Sequence, residues 1–144
     1  MAETLKGVFA ASMSVLKADL SLDVEATLHH SKTNLDDNGV GSAFFGSTGC
    51  GQLISVSEKK ELIDSLSKMK FKEQILIGPS CNSLRETVNI MKYAVQKGMK
   101  NFLVMNPAYY KNNSDEGVFK FYKTLIEKNP KAKIILYNFE KLSG

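Results

Sequence analysis

The sequence predicts an α/β fold that repeats one unit, a short apolar strand followed by an amphipathic helix. Three observations lead to this prediction. Five apolar runs are too short to be helices and too continuously apolar for strands with one solvated face, so both faces of each are expected to be covered. Four stretches with helical spacing lie between these runs. Successive strands begin roughly 30 residues apart, the length of one strand–helix unit.

The predicted strands cover residues 7–11, 39–45, 74–78, 101–105 and 133–137. The helices between them are recognised by apolar side chains three, four or seven residues apart, which share one face of a helix. In chain order these faces carry Val24, Leu28 and Leu35; Leu62, Ile63, Leu66 and Met69; Val88, Met91 and Val95; and Val118, Phe121, Tyr122, Leu125 and Ile126.

Polar residues at the ends of the predicted helices support this division of the chain. Ser83 followed by Glu86 predicts a capping box at the third helix, since the serine hydroxyl can accept the Glu86 amide hydrogen. Ser114 predicts the N-cap of the fourth helix. Charged neighbours such as Lys59 and Lys60 are expected on solvated helix faces.

Repeated strand–helix units form a parallel sheet with right-handed crossovers, and two architectures satisfy this pattern. An open flavodoxin-like sheet, covered by helices on both faces, is complete with about five strands. An eight-stranded barrel needs roughly 250 residues, so the 144 residues of this chain would form a little over half of one. The spacing does not choose between them. No linker divides the chain, which is therefore expected to be one unit.

Composition argues against several classes of function. The chain is 43% hydrophobic and 24% charged, the balance of a folded domain. Its net charge of +4 comes from lysines, and Arg85 is the only arginine, so the forked contacts that read nucleic acids are largely missing. No apolar run approaches the ~18 residues of a membrane helix. We therefore expect a cytoplasmic protein that binds neither nucleic acid nor membranes.

Cysteine and histidine residues show no disulfide or metal pattern. Cys50 and Cys81 are too few for a disulfide framework and lack CxxC spacing, so free thiols are expected. His29 and His30 are adjacent within a predicted helix and cannot face one metal ion together. No metal or other cofactor is expected.

The loops at the carboxyl ends of the strands carry the candidate functional residues, because parallel sheets bind ligands at that edge. Ser47 and Thr48 lie in the glycine-rich segment 46–51, whose hydroxyls and amides could cradle a carboxylate or phosphate. Its spacing matches neither a P-loop nor a dinucleotide fingerprint, so a plain tight turn is an equally good interpretation. Tyr110 and Tyr137 follow or end strands and could move protons, although such rings more often serve in packing.

The ordered motifs of these loops are Gly46-Ser-Thr-Gly49, Ser80, Pro107-Ala-Tyr-Tyr110, Ser114-Asp-Glu-Gly117, Leu136-Tyr-Asn138 and Leu142-Ser-Gly144. Together they resemble the dihydrodipicolinate synthase and N-acetylneuraminate lyase family of pyruvate-dependent class I aldolases, from residue 7 to residue 144. The resemblance implies a (β/α)8 TIM barrel. Residues 1–144 are then the N-terminal part of a single barrel domain, truncated after the fifth strand.

The resemblance also implies roles for the matching residues. Ser47, Thr48 and Gly49 match the loop that holds the carboxylate of pyruvate, and the two hydroxyls join a proton relay. Tyr137 matches the tyrosine that moves protons during Schiff-base formation and carbon–carbon bond cleavage. Tyr110 matches the second relay tyrosine, which in many members reaches into the neighbouring subunit's site. The expected partners are a 2-oxo acid and further copies of the chain.

Some positions depart from the family pattern. Cys50 stands where a glutamate is usual, and Glu140 where a proline is usual. Leu142 falls where dihydrodipicolinate synthases carry the arginine for their second substrate, so the sequence is more similar to the neuraminate lyase and sugar-acid aldolase branches. The nucleophilic lysine lies on the sixth strand of the family, and no lysine here matches it. Lys141, expected in a loop, is interpreted as a surface residue.

The predicted function is therefore a Schiff-base-forming, pyruvate-dependent lyase or aldolase that breaks or forms a carbon–carbon bond in a 2-oxo acid such as a sugar acid. The chain alone is expected to be inactive and to need a complementing C-terminal half. The alternative is a non-catalytic, five-stranded flavodoxin-like module that binds an anion or a partner. Strand order distinguishes the two, because the open sheet requires the order 2-1-3-4-5 and the barrel the order 1-2-3-4-5.

Overall fold

The computed structural model describes residues 5–35, 40–79 and 81–143. Gly39, Ser80 and Gly144, which belong to the predicted strand or motifs above, lie outside the described residues. Five strands are present: β1 (Phe9–Ala11), β2 (Gly41–Phe44), β3 (Ile75–Ile77), β4 (Asn101–Met105) and β5 (Lys133–Tyr137). The helices are α1 (Val24–Leu35), α2 (Val56–Leu66), α3 (Leu84–Gln96), α4 (Asp115–Lys128) and α5 (Glu140–Ser143), with a 3-10 turn at Lys72–Gln74.

The strands form one parallel sheet in the order β1-β2-β3-β4-β5. Each helix from α1 to α4 connects neighbouring strands, as in a (β/α)8 barrel. The flavodoxin-like alternative is wrong, because its order 2-1-3-4-5 would place β1 between β2 and β3. Within the described ranges, no helix has the length and apolar character of a membrane span.

The main core lies between one face of the sheet and the helices. Alternate strand residues face it, because side chains of a strand point to opposite sides in turn. From the strands it receives Phe44, Ile75, Ile77, Phe102 and Val104, and from the helices Leu62, Ile63, Leu66, Ile90, Met91, Ala94, Phe121 and Leu125. The intervening strand positions point to the concave side, which is the interior of a barrel.

The expectation that every strand is covered on both faces is correct for β2 and β3, whose residues are all buried, and nearly so for β4. It is wrong for β1 and β5. On β5, Ile135 is 38% exposed and Leu136 64% exposed. The physical reason is that β1 and β5 each have one strand neighbour in the described sheet, so one backbone edge and part of each face are open.

Serine side chains cap three of the helices. Ser83 and Ser114 accept the backbone hydrogens of Glu86 and Gly117, as the sequence predicts. The complete capping box lies instead at α2, where Ser55 and Glu58 exchange hydrogen bonds. The Ser-x-x-Glu spacing of Ser55 and Glu58 is the sequence signal of this box.

Two expectations about lysines differ from the structure. Lys141 lies in the one-turn helix α5 rather than in a loop, although it is exposed as expected. Lys59 is buried on α2, contrary to its expected place on a solvated face. The reason is its position: Lys59 lies three, four and seven residues before Leu62, Ile63 and Leu66, on the side of α2 that faces the core.

A charged cluster joins α2 to α3 on the surface. The Tyr93 hydroxyl donates to Asp64 Oδ1 at 2.8 Å and Oδ2 at 2.7 Å, and Lys97 Nζ lies 2.6 Å from Asp64 Oδ1. Hydrogen bonds from Lys97 and Tyr93 lower the pKa of Asp64. The bond to Asp64 raises the pKa of both Tyr93 and Lys97. The folded chain therefore favours the charged carboxylate with both donors protonated.

We expect Asp64→Asn to lower the free energy of unfolding at pH 7. Because folding lowers the pKa of Asp64, its contribution is present above the ordinary aspartate pKa and is lost as the pH falls through the lowered value. The difference between wild type and variant should therefore shrink below about pH 4. Urea unfolding at several pH values measures this, with Glu127→Gln, from the exposed pair Lys123–Glu127, as the control without effect. A pH-independent difference would contradict the assignment.

Candidate functional site at the carboxyl ends of the strands

The segment 46–51 turns sharply after β2. Phe45 and Cys50 adopt left-handed backbone conformations, with φ of 61° and 50°. The amide of Cys50 donates to the Ser47 carbonyl and that of Gly51 to the Gly46 carbonyl, both at 3.1 Å. The positive φ angles at this turn belong to Phe45 and Cys50, and none of the glycines at 46, 49 and 51 has one.

The glycines of the site are needed for close packing of backbone on backbone. A Cβ atom on Gly51 would collide with the Phe45 carbonyl oxygen. A Cβ on Gly78 would lie 2.6 Å from that same oxygen, and one on Gly49 would lie 2.7 Å from the Ser12 carbonyl oxygen. Glycine is therefore required where β1, β2 and β3 end together.

A hydroxyl from the first strand–helix loop holds the turn in place. Ser14 Oγ donates to the Gly49 carbonyl at 2.6 Å, across 35 residues of sequence. The amide of Ser12 donates to the Ala43 carbonyl at 2.9 Å and extends the pairing of β1 with β2. The segment 46–51 is thus anchored by its own turn bonds and by the end of β1.

Ser47 and Tyr137, 90 residues apart in sequence, meet at the carboxyl edge of the sheet. Their hydroxyl oxygens are 3.3 Å apart, and either can be the donor. The Tyr137 ring stacks on Phe139 with centroids 6.1 Å apart. Two sequence-predicted site residues from β2 and β5 are therefore brought within hydrogen-bonding distance.

A small cavity of about 40 Å³ lies beside this hydroxyl pair. That is room for a few water molecules or a compound of similar size. Its lining is apolar except at the hydroxyls and the Gln52 amide, and no carboxylate of the described residues contributes to it. The lining residues are Phe45, Gly46, Ser47, Gln52, Gly78, Leu103, Met105, Tyr137 and Leu142.

The other predicted site residues occupy different positions. Leu142, 37% exposed, lines the cavity with Ser47 and Tyr137. Thr48 is exposed next to Ser47, and Gly49 is buried in the turn. Tyr110 is 75% exposed, packs edge to face on Tyr109, and does not line this cavity.

Sequence reasoning missed Gln52, Leu103, Met105 and Ser14 as residues of this region. Leu103 and Met105 belong to the predicted strand β4, but the alternation of side chains along a strand does not tell which of its two faces lines the cavity. Gln52 and Ser14 lie in loops, where no periodicity marks orientation.

A larger cavity of about 730 Å³ lies at the opposite, amino-terminal ends of the strands, among Leu5, Lys6, Phe9, Glu73, Gln74, Lys100, Asn101 and Lys133. Parallel α/β folds place their functional loops at the carboxyl ends. The smaller cavity, which has the converging hydroxyls, is therefore the candidate site.

Metal ligation has no support in the described part of the chain, where no three His, Cys, Asp or Glu residues cluster suitably. His29 is exposed on α1, and His30 is half-buried on the same helix. Cys50 and Cys81 are both free thiols.

Comparison with known proteins assigns the family. The chain matches the dihydrodipicolinate synthetase family over residues 4–144, and it belongs to this family. It is 29% identical to the N-acetylneuraminate lyase of Pasteurella multocida over 145 residues, which covers 99% of this chain and 48% of the relative. It is 30% identical to the 4-hydroxy-tetrahydrodipicolinate synthase of Chlamydia trachomatis over 131 residues, which covers 91% of this chain and 45% of the relative.

The fold comparison agrees. The crystal structure of dihydrodipicolinate synthase from Agrobacterium tumefaciens superposes with a TM-score of 0.85 at 26% identity, over 95% of this chain and 49% of that one. The chain thus forms five strands of a (β/α)8 barrel and spans about half the length of the curated relatives it matches.

We expect Gly51→Ala to lower the free energy of unfolding by about 2 to 3 kcal/mol, because the new methyl group collides with the Phe45 carbonyl and the backbone cannot yield cheaply. Gly46→Ala is the matched control, since nothing described lies within 4 Å of its Cβ position. Chemical unfolding measures both. Equal stability of the two variants would disprove the close-packing role of Gly51.

Proposed function

We propose that this chain is the N-terminal part of a Schiff-base-forming, pyruvate-dependent lyase or aldolase that breaks or forms a carbon–carbon bond in a 2-oxo sugar acid. The observation that carries the proposal is the 3.3 Å contact between Ser47 Oγ and Tyr137 OH, beside a cavity, in a member of this family. In this proposal the segment 46–51 binds a carboxylate, and Tyr137 moves protons.

Several features of the segment suit a carboxylate. Among the described residues, the amides of Ser47 and Thr48 donate to no backbone carbonyl, and the hydroxyls of both residues are exposed beside them. Such a group of amide and hydroxyl donors binds anions. No acidic side chain lines the cavity within the described ranges, so its described lining does not repel an anion.

The hydroxyl pair suits proton transfer. When a lysine amine adds to the keto carbon, the carbinolamine must lose its hydroxyl as water, which needs a proton. In the cleavage direction, the substrate hydroxyl loses its proton as the carbon–carbon bond breaks and the electron pair moves into the iminium. Tyr137 can serve both steps because a phenol donates and accepts, and Ser47 gives it a hydrogen-bonding partner in either state.

The neighbourhood of Leu142 favours a sugar acid over a substrate with a second carboxylate. Leu142 lines the cavity where an arginine would be expected for such a carboxylate. Leu103 and Met105 add further apolar surface and no positive charge. A polyol chain needs hydrogen bonds but no salt bridge. The leucine in place of an arginine therefore costs such a substrate little binding free energy.

The proposed activity needs an amine from outside residues 1–144, and the proposed partners in the cytoplasm are further copies of the chain or a complementing C-terminal half. Exposed apolar side chains on β5 and α4 support a missing neighbour: Ile135, Leu136, Phe119 and Ile126. Tyr110, exposed on the same edge as the site, is proposed as the relay residue that acts between subunits.

We expect reductive trapping to leave this chain unlabelled when it is incubated alone with pyruvate and borohydride. With a complementing C-terminal half, the label should appear on that half, because the Schiff-base lysine lies there. Mass spectrometry of the separated chains measures this. Labelling of the 144-residue chain by itself would overturn the lysine assignment, and no labelling of either chain would count against the whole proposal.

We expect Ser47→Ala to weaken pyruvate binding by about tenfold or more, because a hydrogen bond to a charged group is lost. Tyr137→Phe should leave binding within about threefold but slow Schiff-base formation by about 100-fold or more. Tyr109→Phe, which alters an exposed tyrosine away from the cavity, is the control. Calorimetry and single-turnover trapping with the complementing half separate the two effects, and identical behaviour of all three variants would refute the assigned roles.

A further inference from the structure

Lys59 is a buried cation next to the candidate site. Its side chain is 1% exposed on α2, and its Nζ lies 5.8 Å from the centroid of the Phe45 ring, within the range of a cation–π interaction. Burial lowers the pKa of Lys59, while Cys81 and Glu86 act in the opposite direction. Burying a lysine on the core face of a helix is costly, and an apolar residue would suit that face better.

The backbone conformation of Phe45 sets the direction in which the chain continues to Ser47. Phe45 is buried, has a left-handed backbone, lines the cavity and lies two residues before Ser47. Residues with a Cβ atom are strained in that conformation and keep it only where the surroundings enforce it. Gly51 and Gly78 enclose the Phe45 carbonyl oxygen, and Lys59 lies over the ring.

We propose that Lys59 is a positioning residue, whose ammonium group over the Phe45 ring holds the left-handed turn and so directs the Ser47 hydroxyl towards Tyr137. The inference deepens the proposed function and rests on it for the consequence on pyruvate binding. Its first step, from Lys59 to the conformation of the turn, does not depend on any substrate.

The pH dependence of this role has an unusual sign. Because folding lowers the pKa of Lys59, the folded chain gives up this proton at a lower pH than the unfolded chain, so loss of the proton increases the free energy of unfolding. The neutral amine, however, no longer attracts the ring. Between the lowered pKa of Lys59 and the ordinary lysine pKa, the free energy of unfolding should therefore increase with pH, while pyruvate affinity falls. Among the described residues, the groups whose charges raise the pKa of Lys59 are Cys81 and Glu86, and Cys81→Ser is a control variant that removes the thiol.

The test compares Lys59→Met and Lys59→Arg with Lys60→Met. Lys60 is the matched control, because it lies on the same helix as Lys59 and its Nζ is 5.2 Å from the ring of Tyr93 on α3. We expect Lys59→Met to weaken pyruvate binding by at least about tenfold and to shift the Thr48 methyl NMR signal of the free chain. Lys59→Arg should keep wild-type affinity with no decline up to pH 10, and Lys60→Met should change neither measurement.

The outcomes separate the two proposals. If Lys59→Met leaves the Thr48 signal and pyruvate affinity unchanged, the role of Lys59 is disproved. If wild type binds no pyruvate, the proposed function fails, while the Thr48 signal still tests Lys59. If Lys59→Met does not fold, the wild type decides: with ¹³C-labelled lysine, equal titration midpoints for Lys59 and the Thr48 methyl group support the role, and unequal midpoints overturn it.

Discussion

Backbone packing at the carboxyl end of β2 determines the rest of the site. The Phe45 carbonyl lies so close to Gly51 and Gly78 that a methyl group at either position would collide with it or press against it. This contact brings the end of β2 against the end of β3 and forces the chain to turn at once. Ser47 emerges from that turn on the same edge as Tyr137, which β5 delivers from 90 residues away.

The described lining of the cavity is uncharged, whereas a buried cation lies behind it. The part of the chain that the structure describes lines the cavity with hydroxyls, an amide side chain and apolar groups, and with no carboxylate to repel an anion. The nearby cation, Lys59, is buried behind Phe45 instead of lining the cavity. A lysine in that place cannot act as a nucleophile on a substrate, but it can influence the shape of the turn through the aromatic ring.

Much of the fold could be predicted because apolar runs and helical spacing are local properties. The bounds of β4 and β5 match the predicted residues 101–105 and 133–137, whereas β1, β2 and β3 are shorter than their apolar runs. Burial was harder to predict. The sequence predicts Leu136 in the core and Lys59 on the surface, but Leu136 is exposed and Lys59 is buried. The burial of each residue depends on which other elements pack against its face of the strand or helix.

The sequence by itself determined the number and order of the strand–helix units, the loops that carry the candidate residues, and the family resemblance of those loops. Only the tertiary structure decided the burial of Lys59, the left-handed turns at Phe45 and Cys50, and the meeting of Ser47 with Tyr137. The physical reason is that hydrophobic periodicity acts over a few residues, whereas strand pairing and backbone contact join segments that are far apart along the chain.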